Sequence, residues 1–190
     1  MSEQPKKPFL YVIVCAAGTA GDVGELITAA QEQHWDVGVI ATPHGLGFID
    51  AEAVAEQTGN PIRSAWRGPG DPRPFPPPDA IAVAPATFNT INKWAAGIAD
   101  TLALATLCEA YGAGIPIAVL PSVNADLAAH PAYRQSLGRL REMGVVISGY
   151  EPQHEAGGSG CFRWEEALDL LRLTPKVSVR GRSDSGTVTA

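Results

Sequence analysis

The chain has 190 residues, 45% of them hydrophobic and 18% charged, which suits one substantial core and one domain. Its net charge of −6 gives no electrostatic footprint for nucleic acid or anionic lipid, whose binders normally present a basic face, although it leaves room for a small local basic patch. The cysteines, Cys15, Cys108 and Cys161, have no C-x-x-C spacing, so reduced thiols are expected rather than a disulfide framework or a metal site.

Residues 1–8 are polar, include Lys6 and Lys7, and are expected to form a flexible tail. The apolar run over 9–17 is too short to span a bilayer and lacks a cleavage region, so it predicts a strand, with no membrane partner and a cytoplasmic location. Short, β-branched, nearly continuous apolar runs at 10–16, 37–42, 80–84, 115–120 and 145–148 predict strands covered on both faces. Helical spacing links Val23, Leu26, Ile27 and Ala30. It also links Trp94, Ile98, Thr101, Leu102 and Ala105, and then Tyr133, Leu137 and Leu140 ahead of a stop at Gly144. Strands alternating with helices predict an α/β domain over 9–174, a Rossmann-like doubly wound parallel sheet with helices on both faces. The proline- and glycine-rich stretch 67–78 predicts a surface connector, and 175–190 a disordered tail.

Three strand ends carry the chemistry. The first opens into Ala17, Gly18, Thr19, Ala20 and Gly21, a turn that is not G-x-G-x-x-G but would let a phosphate approach the backbone while Thr19 donates. A tight strand-to-helix turn needs glycine anyway. The second strand ends at Thr42, where a dinucleotide fold wants an acidic residue for ribose hydroxyls; a hydroxyl suits phosphate better. The third strand runs into Pro85, Ala86, Thr87, Phe88, Asn89 and Thr90, a hydroxyl- and amide-rich turn at a helix start. Asn89 or Thr90 could serve only as its N-cap, although capping does not account for the whole run.

This last run, continued by Ile91-Asn92-Lys93 and Gly97-Ile98-Ala99-Asp100, resembles the PASANT motif of the homo-oligomeric flavin-containing cysteine decarboxylases, which include phosphopantothenoylcysteine and lantibiotic peptidyl-cysteine decarboxylases. The resemblance covers roughly residues 9–170 and implies flavin mononucleotide (FMN) held by Gly18, Thr19, Ala20, Thr42, Thr87, Phe88, Asn89 and Thr90. Residues 42–48 are similar to that family's Thr-x-x-Ala-x-x-Phe segment, with Gly45 at the alanine position. Phe48 is then either a flavin contact or a core aromatic. Residues 121–128 resemble the substrate motif P-x-M-N-x-x-M-W, with Pro121 and Asn124 retained and Val123, Leu127 and Ala128 replacing the methionines and tryptophan. Ser122 would line the cofactor, and Asn124 would either bind a substrate carboxylate or cap a helix.

Residues 156–163 look like the flap of the pantothenate-pathway enzymes. Gly157, Gly160 and Arg163 match, Ala156 stands at the proton-donating cysteine, and Cys161 is displaced from it. The family's active-site histidine is absent from 59–84, where Asp71 falls at its spacing. His34 and His154 have no motif around them, while His44 and His130 each follow a strand on the presumed ligand side. His130, before Pro131, is alternatively a helix-start residue.

The resemblance implies an FMN-binding protein that oxidatively decarboxylates a cysteine-type thiol, in a small molecule or a peptide, to an enethiol, with Asn89, Asn124 and His130 as candidate catalytic residues. It also implies a homo-oligomer, a trimer or a multiple of trimers, with Trp94, Phe88 and Pro121 near the interface. The alternatives are a related flavin enzyme with different chemistry, prenyltransferase-like or an oxidoreductase, and a non-catalytic flavin-binding regulatory subunit.

Overall fold

Six consecutive buried residues form the first strand, β1 (Phe9–Val14), and successive side chains leave it toward opposite faces. Leu10, Val12 and Val14 enter one apolar layer; Tyr11, Ile13 and Cys15 enter the other. A strand apolar on both faces needs cover on both sides. In the computed structural model, which describes residues 7–149 and 162–174, that cover is a layer of helices on each face of one five-stranded sheet.

The strands are β1, β2 (Asp36–Ala41), β3 (Ala80–Ala86), β4 (Ile117–Pro121) and the two-residue β5 (Val146–Ile147), ordered β2-β1-β3-β4-β5. Every adjacent pair is parallel, as the Rossmann-like expectation required. Helices α1 (Gly24–Glu32), α2 (Ala51–Thr58) and α7 (Glu166–Leu173) pack on the Leu10 side, through Leu26, Ile27, Val54, Ala167 and Leu168. Helices α3 (Phe88–Ala95), α4 (Leu102–Gly112) and α6 (Pro131–Glu142) cover the Tyr11 side. A five-residue helix, α5 (Ala125–Ala129), joins β4 to α6. The chain is a single domain of doubly wound parallel topology.

Three expectations need correction. The helical face drawn from Trp94 through Ala105 is not one helix. Gly97 adopts φ 75°, a left-handed conformation that ends α3, and Ile98 is 42% exposed in the turn before Thr101 caps α4. The stretch 67–78 is mostly exposed, yet Phe75 is only 4% exposed and packs against Phe9 and Tyr11, ring centroids 5.9 and 5.6 Å away. The connector thus fills the part of the Tyr11 face beside β2. Trp94 lies in the core of the protomer and is not a surface contact. The stop at Gly144 is found, with φ 86°, and no helix among the described residues is long and apolar enough to cross a membrane.

Candidate functional site

Strand order reverses at β1, whose sequence neighbour β2 lies on one side and β3 on the other. A crevice therefore opens between the carboxyl ends of β1 and β3, where parallel sheets bind ligands. The loops meeting there are two of the three singled out from sequence. They are tied together directly: the Cys15 amide donates to the Pro85 carbonyl at 3.1 Å, beside the cis Ala84–Pro85 bond.

The backbone donors of this crevice are left open. Residues 18–22 form a 3-10 turn entered from Ala17, and α3 is entered from Thr87; neither start has a side-chain cap. By contrast Asp50, Thr101, Asn124 and His130 cap α2, α4, α5 and α6. The N-cap position of α3 is thus Thr87, not Asn89 or Thr90, and its hydroxyl lies 3.1 Å from that of Thr90 instead of over the helix amides. No acidic residue stands in the first turn of either element, so the positive dipole end faces the crevice uncompensated.

The hydroxyls complete a cradle. Thr19 Oγ1 is buried without a hydrogen-bond partner, a costly arrangement that a ligand oxygen would relieve. A side chain on Gly18 would meet nothing within 4 Å, so the loop surface there is open to a bulky group, while Ala20 is fully buried and anchors the turn in the α1 layer. Thr42 Oγ1 accepts from the Gly45 amide at 3.1 Å, folding the turn after β2 toward the crevice. At Gly45 a Cβ would lie 2.7 Å from the Val14 carbonyl oxygen, so the tight approach of this turn to β1 needs glycine. Phe48, at the end of the 3-10 turn Gly45–Phe48, is 49% exposed; the core-aromatic alternative is excluded. Ser122 is half-buried, and its amide donates to the Ala86 carbonyl at 2.8 Å, joining the ends of β4 and β3.

The sequence reading missed Cys15. Its fully buried thiol belongs beside Thr87 and Thr90 of the PASANT-like turn, which oppose the burial that pushes its pKa up, so it is a neutral thiol at physiological pH. Thr90, itself buried, therefore orients Thr87 from below and does not face open space. Only the register of β1 against β3 reveals this contact.

The three candidate catalytic residues divide. Asn89 is exposed in the first turn of α3, at the crevice. Asn124 Oδ1 accepts from the Leu127 amide at 2.9 Å, which makes it the cap of α5 and leaves only its amide N–H groups free to donate. His130 Nδ1 accepts from the Ala132 amide at 3.1 Å, the helix-start role; a neutral imidazole held this way carries its proton on Nε2 and can donate there but not act as a base. Phe88 stands edge-on to His130, centroids 5.8 Å apart, and stacks on Tyr133 at 6.0 Å. His44 is exposed after β2, and His34 sits in the turn at the opposite edge of the sheet. Ala156, Cys161 and His154 lie outside the described residues. Arg163 lines a cavity of about 280 Å³ beyond β4 together with Leu120, Pro121 and Glu166.

An anion held by amides and hydroxyls between β1 and β3 is thus the chemistry this edge supports. The Flavoprotein family model matches residues 1–172. The chain belongs to the Flavoprotein family. Among curated relatives, a cysteine/cysteine sulfinic acid decarboxylase from an unknown prokaryotic organism is 36% identical over 95 residues, covering 50% of this chain and 26% of the relative. The coenzyme A biosynthesis bifunctional protein CoaBC of Escherichia coli (strain K12) is 29% identical over 156 residues, 78% of this chain and 38% of that protein. The chain therefore spans well under half the length of these relatives. The solved epidermin biosynthesis protein EpiD from Staphylococcus aureus superposes with a TM-score of 0.63 at 26% identity, covering 75% of this chain and 83% of EpiD. The cypemycin decarboxylase CypD, at 20% identity and a TM-score of 0.69 over 90% of this chain and 96% of its own, shows the same fold. A flavin is the cofactor class of this family, and the uncapped amides with the orphaned Thr19 hydroxyl fit its phosphate.

Proposed function

We propose that this protein binds FMN between β1 and β3 and oxidatively decarboxylates a cysteine-type thiol, in a small molecule or a peptide, to an enethiol. The observation that carries the cofactor half is the buried, partnerless Thr19 hydroxyl in the turn after β1, together with the start of α3 after β3 that has no side-chain cap. Gly18, Thr19 and Thr87 would hold the phosphate, Thr42 and Ala20 would shape its turn, Thr90 would orient Thr87, and Ser122, Phe48 and Phe88 would border the rest of the cofactor. When bound, FMN supplies the two-electron sink that converts the thiol to a thioaldehyde, from which carboxylate loss gives the enethiol. The chain's own work is positioning. Asn89 and the free amide N–H groups of Asn124 would orient the substrate carboxylate, and His130 would donate through Nε2.

The curated cysteine/cysteine sulfinic acid decarboxylase relative supports this reading. Flavin bands in the visible spectrum of purified protein, or saturable quenching of added FMN, are expected; colourless protein that does not bind FMN would overturn it. Incubation with cysteine-containing acids and C-terminal cysteine peptides should release carbon dioxide with bleaching of the flavin. A saturated thiol product would disprove the oxidative outcome. A second reading, a flavin-binding subunit without turnover, is favoured by the engagement of Asn124 and His130 in helix caps, and inactivity across that panel would select it. We also expect a cytoplasmic homo-oligomer, a trimer or a multiple of trimers, with Phe88 and Pro121 near the contact. A monomer in sedimentation at micromolar concentration would refute the assembly.

A further inference from the structure

Helices α5 and α6 meet at one residue whose backbone is held from both sides. The His130 amide donates to the Leu127 carbonyl at 3.1 Å, closing α5, and its carbonyl accepts from the Tyr133 amide at 3.1 Å, opening α6. The part free to turn is the exposed side chain. Its Nδ1 accepts from the Ala132 amide at 3.1 Å, and its ring stands edge-on to Phe88 with centroids 5.8 Å apart. Phe88 is half-buried and also stacks on Tyr133 at 6.0 Å, so two residues at the start of α6 set where the first residue of α3 sits. The residue before Phe88 is Thr87, the uncapped entry to α3.

The bond to Ala132 depends on a proton. Nδ1 accepts only while it carries none, and histidine is the side chain whose charge changes between about pH 5 and 8. Thr101 and Asn124, which cap α4 and α5, gain no proton in that range. Once Nδ1 is protonated two N–H donors would face one another, so the ring has to leave the amide. Its surroundings do not compensate the imidazolium. The charged and titratable groups on the elements around it are Asp126 of α5, Tyr133 and Arg134 of α6 and Lys93 of α3. Arg134 donates to the Ala129 carbonyl at 3.3 Å, one residue before the histidine, and Lys93 is paired with Asp100. Among the described residues no carboxylate forms an ion pair with the ring, which caps the positive dipole end of α6. The folded state therefore favours the neutral imidazole, and the cap is complete at higher pH and lost as pH falls.

We propose that His130 is a proton-operated latch: neutral, it caps α6 and holds Phe88 at the entry to α3; protonated, it releases both and loosens the cradle beside Thr87. The latch rests on the proposed cofactor reading only for the ligand whose affinity it tunes, and its movement is read without FMN.

Isotopically labelled full-length protein, free of FMN, is followed by NMR between pH 5 and 8. The readouts are the His130 ring titration, the solvent exchange of the Ala132 amide relative to its intrinsic rate, and the Overhauser contact between the His130 and Phe88 rings. As the ring gains its proton, protection of the amide should fall about fivefold or more and the contact should disappear. In His130→Asn, whose side-chain oxygen can cap α6 at every pH, protection should hold throughout. FMN is then titrated into both proteins at pH 7.5 and 5.5. Wild type should weaken about threefold or more beyond the change in His130→Asn, a comparison that cancels the titration of the FMN phosphate itself. An Ala132 amide or a Phe88 contact indifferent to the ring's proton, or equal pH dependence of FMN affinity in the two proteins, would overturn the proposal. A protein that binds no FMN at either pH, while its amide and ring contact follow the proton, would sink the cofactor reading and leave the latch standing.

Discussion

The helix starts after β4 and after β3 share the carboxyl edge of the sheet and treat their backbone donors in opposite ways. After β4, Asn124 and His130 turn their acceptors onto the amides of Leu127 and Ala132, so α5 and α6 begin closed. After β3, Thr87 turns its hydroxyl to Thr90, and α3 begins with its amides open. Both regions are rich in the residue types expected of a site. A binding role follows from which donors stay unsatisfied rather than from residue type, because a group already bonded gains little from a ligand.

The strongest way to break the contrast is to close the open end with charge. Gly18→Asp meets no steric obstacle, so stability should hold, while the carboxylate opposes a bound phosphate by on the order of 2–4 kcal/mol. An FMN titration of the variant checks this, and unchanged affinity would place the phosphate elsewhere. Gly45→Ala should act on the fold instead. A Cβ 2.7 Å from the Val14 carbonyl oxygen forces the β2 turn off β1, costing about 1–3 kcal/mol in denaturant unfolding.

Two smaller substitutions sharpen the comparison by crossing it. Thr87→Ala should weaken FMN binding by about 1 kcal/mol, or somewhat more if its bond to phosphate is charge-assisted. Because Thr87 makes no cap bond, cofactor-free stability should change less. Asn124→Ala should do the reverse, lowering stability by about 0.5–1 kcal/mol through the lost cap while FMN affinity stays constant. At neutral pH the smallest effect belongs to Tyr133, which stacks on Phe88 and whose pKa burial pushes up to about 12. The neutral phenol's contribution is complete below the unfolded value of 10 and is lost as pH rises from there through about 12. Tyr133→Phe should therefore flatten the alkaline loss of stability without altering it at pH 7, as unfolding curves over that range would show.

Much of the architecture was legible in the sequence. Short continuous apolar runs suit parallel strands covered on both faces, and the spacing of Val23, Leu26, Ile27 and Ala30 placed α1 correctly, since all are fully buried. The division of Phe88–Gly112 into two helices was not legible, because the apolar spacing carries across Gly97 while the chain turns there. Phe75 was hidden for a related reason: a proline-rich stretch reads as solvent-exposed until a neighbouring face without a helix is there to be filled.

The sequence by itself determined a doubly wound parallel sheet and the two loops at its crevice, because hydrophobic period and turn chemistry are local properties of a chain. Only the tertiary structure decided which hydroxyls and amides are free. It set Cys15 beneath Thr87 and Thr90, left Thr19 without a partner, and spent Asn124 and His130 on helix ends. A donor's availability depends on what every neighbouring strand and helix has already bonded, and that is settled by packing across the sheet rather than by order along the chain.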